Sequence, residues 1–152
     1  MKSRLLNANG HKTFVLILEK GDEVVRALTE FARERDLSAA HLTAIGAFSE
    51  VTLGYFDRDR KDYVRIPVRE QVEVLSLVGD VAVANGEPQV HAHVVVGKRD
   101  GSAHGGHLLE ARVWPTLEVM LVQSPAHLRR VKDPETGLAL IDAGTPSAAA
   151  AW

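Results

Sequence analysis

The sequence predicts an α+β fold in which a mixed, mostly antiparallel β-sheet carries one main helix. Segments rich in apolar and β-branched residues recur along the chain, and turn residues separate them, which is typical of strands. Helical periodicity, by contrast, is clear in only one segment near the N-terminus. Because a sheet with an apolar face has to cover that face, we expect the helix to pack on the sheet.

The first strand and the helix lie close together at the N-terminal end. Residues 14–18 are a continuous apolar run of strand length. Asp22 is then a suitable N-cap, and apolar residues recur at helical spacing over residues 23–36 while charged residues occupy the other face. The pattern therefore predicts a strand, a short turn and an amphipathic helix that begins after Asp22.

The middle of the chain contains only strand-like segments. Four of them have strand composition, and they span residues 42–48, 51–56, 63–68 and 72–78. Gly46 and Gly54 interrupt the first two and indicate bends or close backbone approaches. The beginning of the last segment, from residue 70, could instead form a helical turn, so two alternatives stand there.

The C-terminal half continues the sheet. A turn signal at residues 85–88 precedes a strand that contains His91 and His93. Two further strands are predicted at residues 108–113 and 117–122, and residues 128–131 are either a short strand or a turn of helix. We expect a single domain over residues 1–142, because no linker divides the chain. The alanine-rich residues 143–152 are predicted to be a loose low-complexity tail.

Composition excludes several classes of function. The 152 residues are 45% apolar and 25% charged with a net charge of −2, which is ordinary for a globular protein. Nucleic-acid binding is not expected, because it needs clustered lysines and arginines. The basic runs at residues 58–61 and 129–132 are short and interrupted, and we interpret both as solvated surface.

Cysteine is absent, which excludes disulfides, thiol catalysis, iron–sulfur clusters and cysteine-ligated zinc. The N-terminus has no apolar stretch long enough for a signal peptide or a membrane span. We therefore expect a cytoplasmic protein with no membrane partner.

Three histidines are the most informative residues of the chain. His91 and His93 are two apart in the strand Val90-His91-Ala92-His93-Val94, so both imidazoles point to one face of the sheet. A glycine-rich run follows, and its conformational freedom can bring His107 back towards that face. Three neutral imidazoles with a fourth position left open are the ligand set of a Zn²⁺ site. The alternative is that they are polar residues on a half-buried strand or at a subunit interface.

Several short motifs occur in the order found in the PPC domain, the plants and prokaryotes conserved domain, also called domain of unknown function 296. They are Gly46-Ala47-Phe48, residues 53–57, residues 73–80, His91-Ala92-His93, Asp100-Gly101, residues 105–108 and residues 115–119. The resemblance covers residues 12–142. It implies an α+β fold, a homotrimer and a metal-binding unit formed by His91, His93 and His107, with Zn²⁺ or another divalent transition metal as cofactor.

The resemblance is to the bacterial type of PPC protein. The plant proteins add an AT-hook with an Arg-Gly-Arg core, and this sequence contains no Arg-Gly-Arg. We therefore expect a trimeric regulatory or interaction module that binds a protein partner or a small molecule, and no nucleic acid. His104, in the glycine-rich run, is a candidate substitute ligand or supporting residue.

The alternative function is a zinc-dependent hydrolase or decarboxylase-like lyase acting on a small polar substrate. The PPC fold resembles that of acetolactate decarboxylase, whose zinc is also held by a His-x-His pair and a third histidine, and that of a zinc-dependent ester hydrolase. An enzyme would need an acid or base near the metal. The candidate acids are Glu70, Glu73, Glu110 and Glu118. Arg112 is a candidate for binding a substrate carboxylate.

Overall fold

The structure is a computed structural model that describes residues 1–7 and 10–144. All but the first two residues of the predicted low-complexity tail lie outside the described residues. The described chain forms one helix and nine strands, in the order β1 (Lys2–Asn7), β2 (Thr13–Glu19), α1 (Val24–Glu34), β3 (Ala39–Asp57), β4 (Asp62–Val68), β5 (Val72–Ala84), β6 (Glu87–Gly97), β7 (Ala103–Gln123), β8 (Arg129–Lys132) and β9 (Ala139–Asp142).

The nine strands belong to one mixed sheet, which confirms the predicted fold class. The main path through the sheet is β1-β2-β7-β3-β5-β8-β9, with β4 attached to β3. Every pair is antiparallel except β5 and β8, which meet in parallel at Val83 and Arg129. The sequence neighbours β3–β4, β5–β6 and β8–β9 pair with each other, which short connections favour.

Four of the strands close into a ring. Strand β3 pairs with both β5 and β7, and β6 also pairs with both β5 and β7. One face of these strands carries the buried core, for example Ala92, Val94 and Val96 on β6. Since successive side chains alternate, the other face of β6 carries His91, His93 and Val95. We call this second face the outer face.

The helix covers core side chains. Its buried residues are Val24, Ala27, Leu28, Phe31 and Ala32, at helical spacing. Phe31 meets Phe14 of β2 edge-on, with ring centroids 5.3 Å apart. Among the described residues no helix is long and apolar enough to cross a membrane.

The N-cap of α1 is Glu23 rather than the predicted Asp22. The Glu23 carboxylate accepts hydrogen bonds from the backbone N–H groups of Val25 and Arg26, at 3.3 and 2.7 Å. Asp22 instead accepts a hydrogen bond from the backbone N–H of Glu19 at 2.9 Å. The longer glutamate side chain reaches the free N–H groups of the first turn while Asp22 closes the preceding turn.

Two strands are longer than predicted. The segments predicted at residues 42–48 and 51–56 form one strand, β3, and those at 108–113 and 117–122 form one strand, β7. Irregular register between β3 and β7 near Gly46 allows pairing to continue through these interruptions. A Cβ on Gly46 would lie 2.3 Å from the carbonyl oxygen of Thr116, so the close approach predicted at this glycine is present.

Candidate metal centre

The three predicted histidines meet on the outer face. His91 and His93 lie two apart on β6, and His107 on β7 is the direct antiparallel partner of His93. The ring centroids are 5.2 Å apart for His91 and His93, 5.1 Å for His91 and His107, and 5.4 Å for His93 and His107. One nitrogen from each imidazole lies within 4.8 Å of the others. Strand alternation and cross-strand pairing therefore build the cluster together.

The predicted glycine-rich run does return the chain to the cluster, but only its first glycine, Gly101, lies in the turn, while Gly105 and Gly106 are strand residues. The tight turn contains Gly101, whose N–H donates to the carbonyl of Lys98 at 2.9 Å, and β7 has already begun at Ala103. Gly106 is thus a strand residue rather than a turn residue. A Cβ on Gly106 would lie 2.9 Å from the carbonyl oxygen of Gly54 on β3. The glycine at position 106 allows β3 to approach β7 beside His107.

Two of the imidazoles, those of His93 and His107, are kept neutral by their surroundings. Burial, reinforced by the nearby His91, His93 and Arg130, lowers the pKa of His107 to about 4. Burial and the neighbouring His91 also lower the pKa of His93. His107 Nδ1 is buried and has no hydrogen-bond partner among the described residues. Neutral imidazole is the form that binds a metal, so this cluster suits a divalent ion.

The depressed pKa of His107 predicts a loss of stability in acid. Between about pH 6.5 and pH 4 the unfolded chain protonates this imidazole and the folded chain does not, so the free energy of unfolding falls as the pH falls through that window. We expect metal-free protein to lose about 1 kcal/mol from this group at pH 5, after allowance for partial solvent exposure. Urea denaturation at pH 7 and pH 5 measures the loss. The variant His107→Gln should lose correspondingly less, and an equal loss in both proteins would contradict the prediction.

An acidic residue missed at the sequence level supports His91. Asp80 on β5 is the cross-strand partner of His91, and its Oδ2 lies 3.7 Å from His91 Nδ1. Asp80 Oδ1 accepts a hydrogen bond from Nη2 of Arg130. Burial alone would raise the pKa of Asp80, but His91 and Arg130 lower it below its usual range. A carboxylate on the far nitrogen of a ligating histidine orients the ring and raises its basicity.

Tyr63 is a second missed neighbour of the cluster. Its ring on β4 stacks on His107, with centroids 4.6 Å apart and planes 26° apart. A Cβ on Gly54 would lie 2.8 Å from Tyr63 Cδ1, so the absence of a side chain at Gly54 makes room for the stack. Burial raises the pKa of Tyr63, which therefore keeps its proton at neutral pH.

Arg130 is the third missed residue, and here the prediction of a solvated basic run is wrong. Its side chain is buried, with only 8% of the residue exposed, and Nη1 donates to the carbonyl oxygen of Ala139 at 3.0 Å. Arg130 also borders a cavity of about 190 Å³, whose other walls include His91, His107, Tyr63 and Gln89. Strand β8 therefore places a buried cation beside the histidines.

The other candidates from the sequence lie outside the cluster. His104 is exposed on β7, and Glu118 is exposed on the same strand. Glu110 pairs with Arg65 at 2.5 Å and Glu70 pairs with Lys98 at 2.7 Å, while Glu73 is exposed on β5. Arg112 Nη1 donates to the carbonyl oxygen of Gly21 at 3.3 Å. Glu110 and Arg112 line a separate groove of about 600 Å³, and none of the three histidines lines that groove.

The structure is a mostly antiparallel sheet with one covering helix and a strand that carries a His-x-His pair. Comparison with known sequences identifies the family to which a domain of this class belongs. The sequence profile of the Plants and Prokaryotes Conserved (PCC) domain, the family abbreviated PPC above, matches residues 6–125. The chain belongs to this family.

One curated relative is the bifunctional protein GlmU of Synechococcus sp. (strain JA-3-3Ab). It is 32% identical over 129 residues, which cover 83% of this chain and 20% of the relative. The chain therefore spans about one fifth of the length of that protein, and the similarity is limited to that part.

Solved structures of similar proteins share the fold. The metal-containing protein AF0104 from Archaeoglobus fulgidus is 40% identical, with a TM-score of 0.80 and coverage of 86% of this chain and 92% of that one. A plant- and prokaryote-conserved (PPC) protein from Pyrococcus horikoshii is 30% identical, with a TM-score of 0.82 and coverage of 95% and 96%.

Two further solved structures are similar to this chain, one at 28% and one at 16% sequence identity. A protein from Bacteroides thetaiotaomicron named a putative DNA-binding protein is 28% identical, with a TM-score of 0.83 and coverage of 92% and 96%. The α-acetolactate decarboxylase of Bacillus subtilis is 16% identical, with a TM-score of 0.52 and coverage of 72% and 51%. The second similarity shows the fold alone, and it agrees with the predicted fold class.

Proposed function

We propose that this PPC domain is a metal-binding module in which His91, His93 and His107 hold one divalent transition metal, Zn²⁺, and leave a coordination position open. The observation that carries the proposal is the convergence of three ligand nitrogens within 4.8 Å. Around a tetrahedral ion with Zn–N distances near 2.0–2.1 Å, nitrogens lie about 3.4 Å apart. Metal binding would therefore draw the three nitrogens closer together.

Three further observations support the metal. The low pKa values of His93 and His107 favour the neutral, ligating form. Asp80 Oδ2 lies 3.7 Å from His91 Nδ1, close enough to orient that imidazole once a metal is bound. The Archaeoglobus fulgidus relative is named a metal-containing protein. Zinc is the metal we propose, although imidazole also suits copper, nickel and iron.

Metal analysis of protein purified without a tag or chelator tests the proposal. We expect about one zinc per chain, lost on prolonged chelation and regained on titration with Zn²⁺. The double variant His91→Ala, His93→Ala should carry none. Wild-type protein that contains no transition metal and takes up none on titration would contradict the proposed site.

We propose that the domain, spanning residues 1–142, assembles as a homotrimer through the outer face. Large apolar side chains are exposed there: Ile45 is 60% exposed, Val78 52%, Met120 42% and Val95 41%. His93, Val78, Thr43 and Met120 form one continuous cross-strand row, so the apolar surface begins directly beside the histidines. A closed three-fold assembly would cover this surface and bring the metal site close to a subunit boundary.

The role that this arrangement supports best is regulatory: a trimeric, metal-stabilised module that binds a protein partner or a small molecule. The alternative is a zinc-dependent hydrolase or lyase. A bound metal with an open position supplies a Lewis acid that polarises a carbonyl or lowers the pKa of a bound water. The cavity beside His91 and His107 favours this alternative. Glu110 and Arg112, by contrast, line the separate groove. A cytoplasmic location stays a prediction.

We expect this chain not to bind duplex DNA, although related proteins are named putative DNA-binding proteins. Its net charge is −2, and several of its arginines and lysines are paired with carboxylates, as in Arg33–Glu87, Arg65–Glu110 and Arg129–Asp142. Fluorescence anisotropy with a labelled duplex at physiological salt should show no binding at micromolar protein. Submicromolar binding that weakens steeply with added salt would reveal a basic surface created by assembly.

A further inference from the structure

We infer that Arg130 and the cavity beside the histidines form a binding site for a small carboxylate, which would contact the metal through its open position. The inference rests on the proposed metal centre and names the class of ligand for that site. Three features carry it: the buried guanidinium, its uncommitted donors and the composition of the cavity wall.

The guanidinium is buried but not fully hydrogen-bonded. Arg130 is 8% exposed, yet its Nε is buried without a hydrogen-bond partner among the described residues. Nη2 donates to Asp80 and Nη1 donates to the carbonyl oxygen of Ala139. A guanidinium has five N–H donors, so capacity remains for an acceptor that the described chain does not provide. Leaving a buried charged donor without an acceptor is costly, which favours an anionic ligand.

The net charge at the site also favours an anionic ligand. Asp80 compensates the charge of Arg130, and an imidazole that binds a metal through a ring nitrogen is neutral. A divalent metal would therefore leave an excess of two positive charges in a half-buried environment. One carboxylate would reduce that excess while contacting both cations, the metal and the arginine.

The cavity sets the size and character of the ligand. Its volume of about 190 Å³ corresponds to roughly six waters at about 30 Å³ each, far below a drug-sized pocket. Val90, Leu138 and Leu140 supply the apolar part of the cavity wall. A carboxylate with a short carbon chain fits both the charged end and the apolar wall, whereas sulfate or phosphate would leave the apolar wall without contacts.

The test uses lactate and its uncharged analogue lactamide, which have the same number of non-hydrogen atoms. Each is titrated into Co²⁺-loaded protein, where visible absorption reports a change at the metal, and into Zn²⁺-loaded protein by calorimetry. We expect lactate to bind at least tenfold more tightly than lactamide. Arg130→Lys keeps the charge but lacks Nε and the planar fork, and it should weaken lactate binding at least tenfold at unchanged metal content. The matched control is Arg129→Lys, on the adjacent exposed residue, which should bind lactate as the wild type does.

A variant that leaves Arg130 intact covers the case in which Arg130→Lys does not fold. Leu140 lines the cavity and is 44% exposed, so Leu140→Glu should place a tethered carboxylate there and abolish lactate binding, while Leu140→Gln should preserve it within about twofold. Metal content is measured on every sample. A chain without metal overturns both proposals. Metal-loaded protein that does not bind lactate overturns the proposed carboxylate site but leaves the metal site standing. The same holds if lactate binds equally well after the changes at Arg130 and Leu140.

Discussion

His107→Ala should lower the affinity for Zn²⁺ by at least about 100-fold, because it removes one of three ligand nitrogens from the cluster. The remaining pair on β6 would hold the ion with only two protein ligands. The measurement is a competition titration against a chromophoric chelator at pH 7. After dialysis the variant should be free of metal. Its fold should be preserved, because His107 lies on the outer face rather than among the buried core residues.

The matched control is His104→Ala. His104 lies three residues earlier on the same strand and is exposed outside the cluster, so its removal should leave the affinity within about threefold of the wild type. If His107→Ala keeps the wild-type affinity, the metal is bound elsewhere. Equal losses in both variants would show that His104 is a ligand and that the three-histidine assignment is wrong.

Val78→Lys should dissociate the proposed trimer into monomers at micromolar concentration. Val78 is 52% exposed in the isolated chain and lies between His93 and Thr43 in the cross-strand row that His93, Val78, Thr43 and Met120 form on the outer face. Three copies of an unpaired lysine in a closed interface would each cost several kcal/mol, because a buried charge without a partner is strongly unfavourable. Light scattering should give about three times the monomer mass for the wild type and the monomer mass for the variant.

The control for assembly is Val131→Lys. Val131 is 47% exposed on β8, outside that cross-strand row, so the same change there should leave the proposed trimer intact. A wild-type monomer or dimer at micromolar concentration would contradict the assembly proposal. So would a trimer that Val78→Lys leaves unchanged, since the interface would then lie on another face.

Local sequence signals were enough for the parts of the site that depend on one strand. The two-residue spacing of His91 and His93 placed both imidazoles on one face, because strand periodicity is a local property. The third ligand, His107, was also identified from the sequence. The glycine-rich run does turn the chain back at Gly101, but the direct pairing of His93 with His107 depends on the register between β6 and β7, which local signals do not report. The sequence likewise does not show that Gly106 is a strand residue that allows close packing against β3.

The supporting residues could not be found in this way. Asp80, Tyr63 and Arg130 come from β5, β4 and β8, and they meet the histidines only after the sheet is assembled. Arg130 in particular has the sequence surroundings of a solvated basic run, and only the assembled sheet shows that it is buried between Asp80 and Ala139. The extension of β3 and β7 through Gly46 and Pro115 depends on irregular pairing, which hydrophobic periodicity does not report.

Anomalous diffraction at the zinc edge, from crystals of untagged protein supplied with Zn²⁺, tests the metal centre most directly. We predict one strong peak per chain within about 2.0–2.1 Å of a nitrogen from each of His91, His93 and His107, with a fourth position held by water or a small anion. Well-ordered imidazoles with no peak between them, or a zinc ion coordinated by other residues, would contradict it.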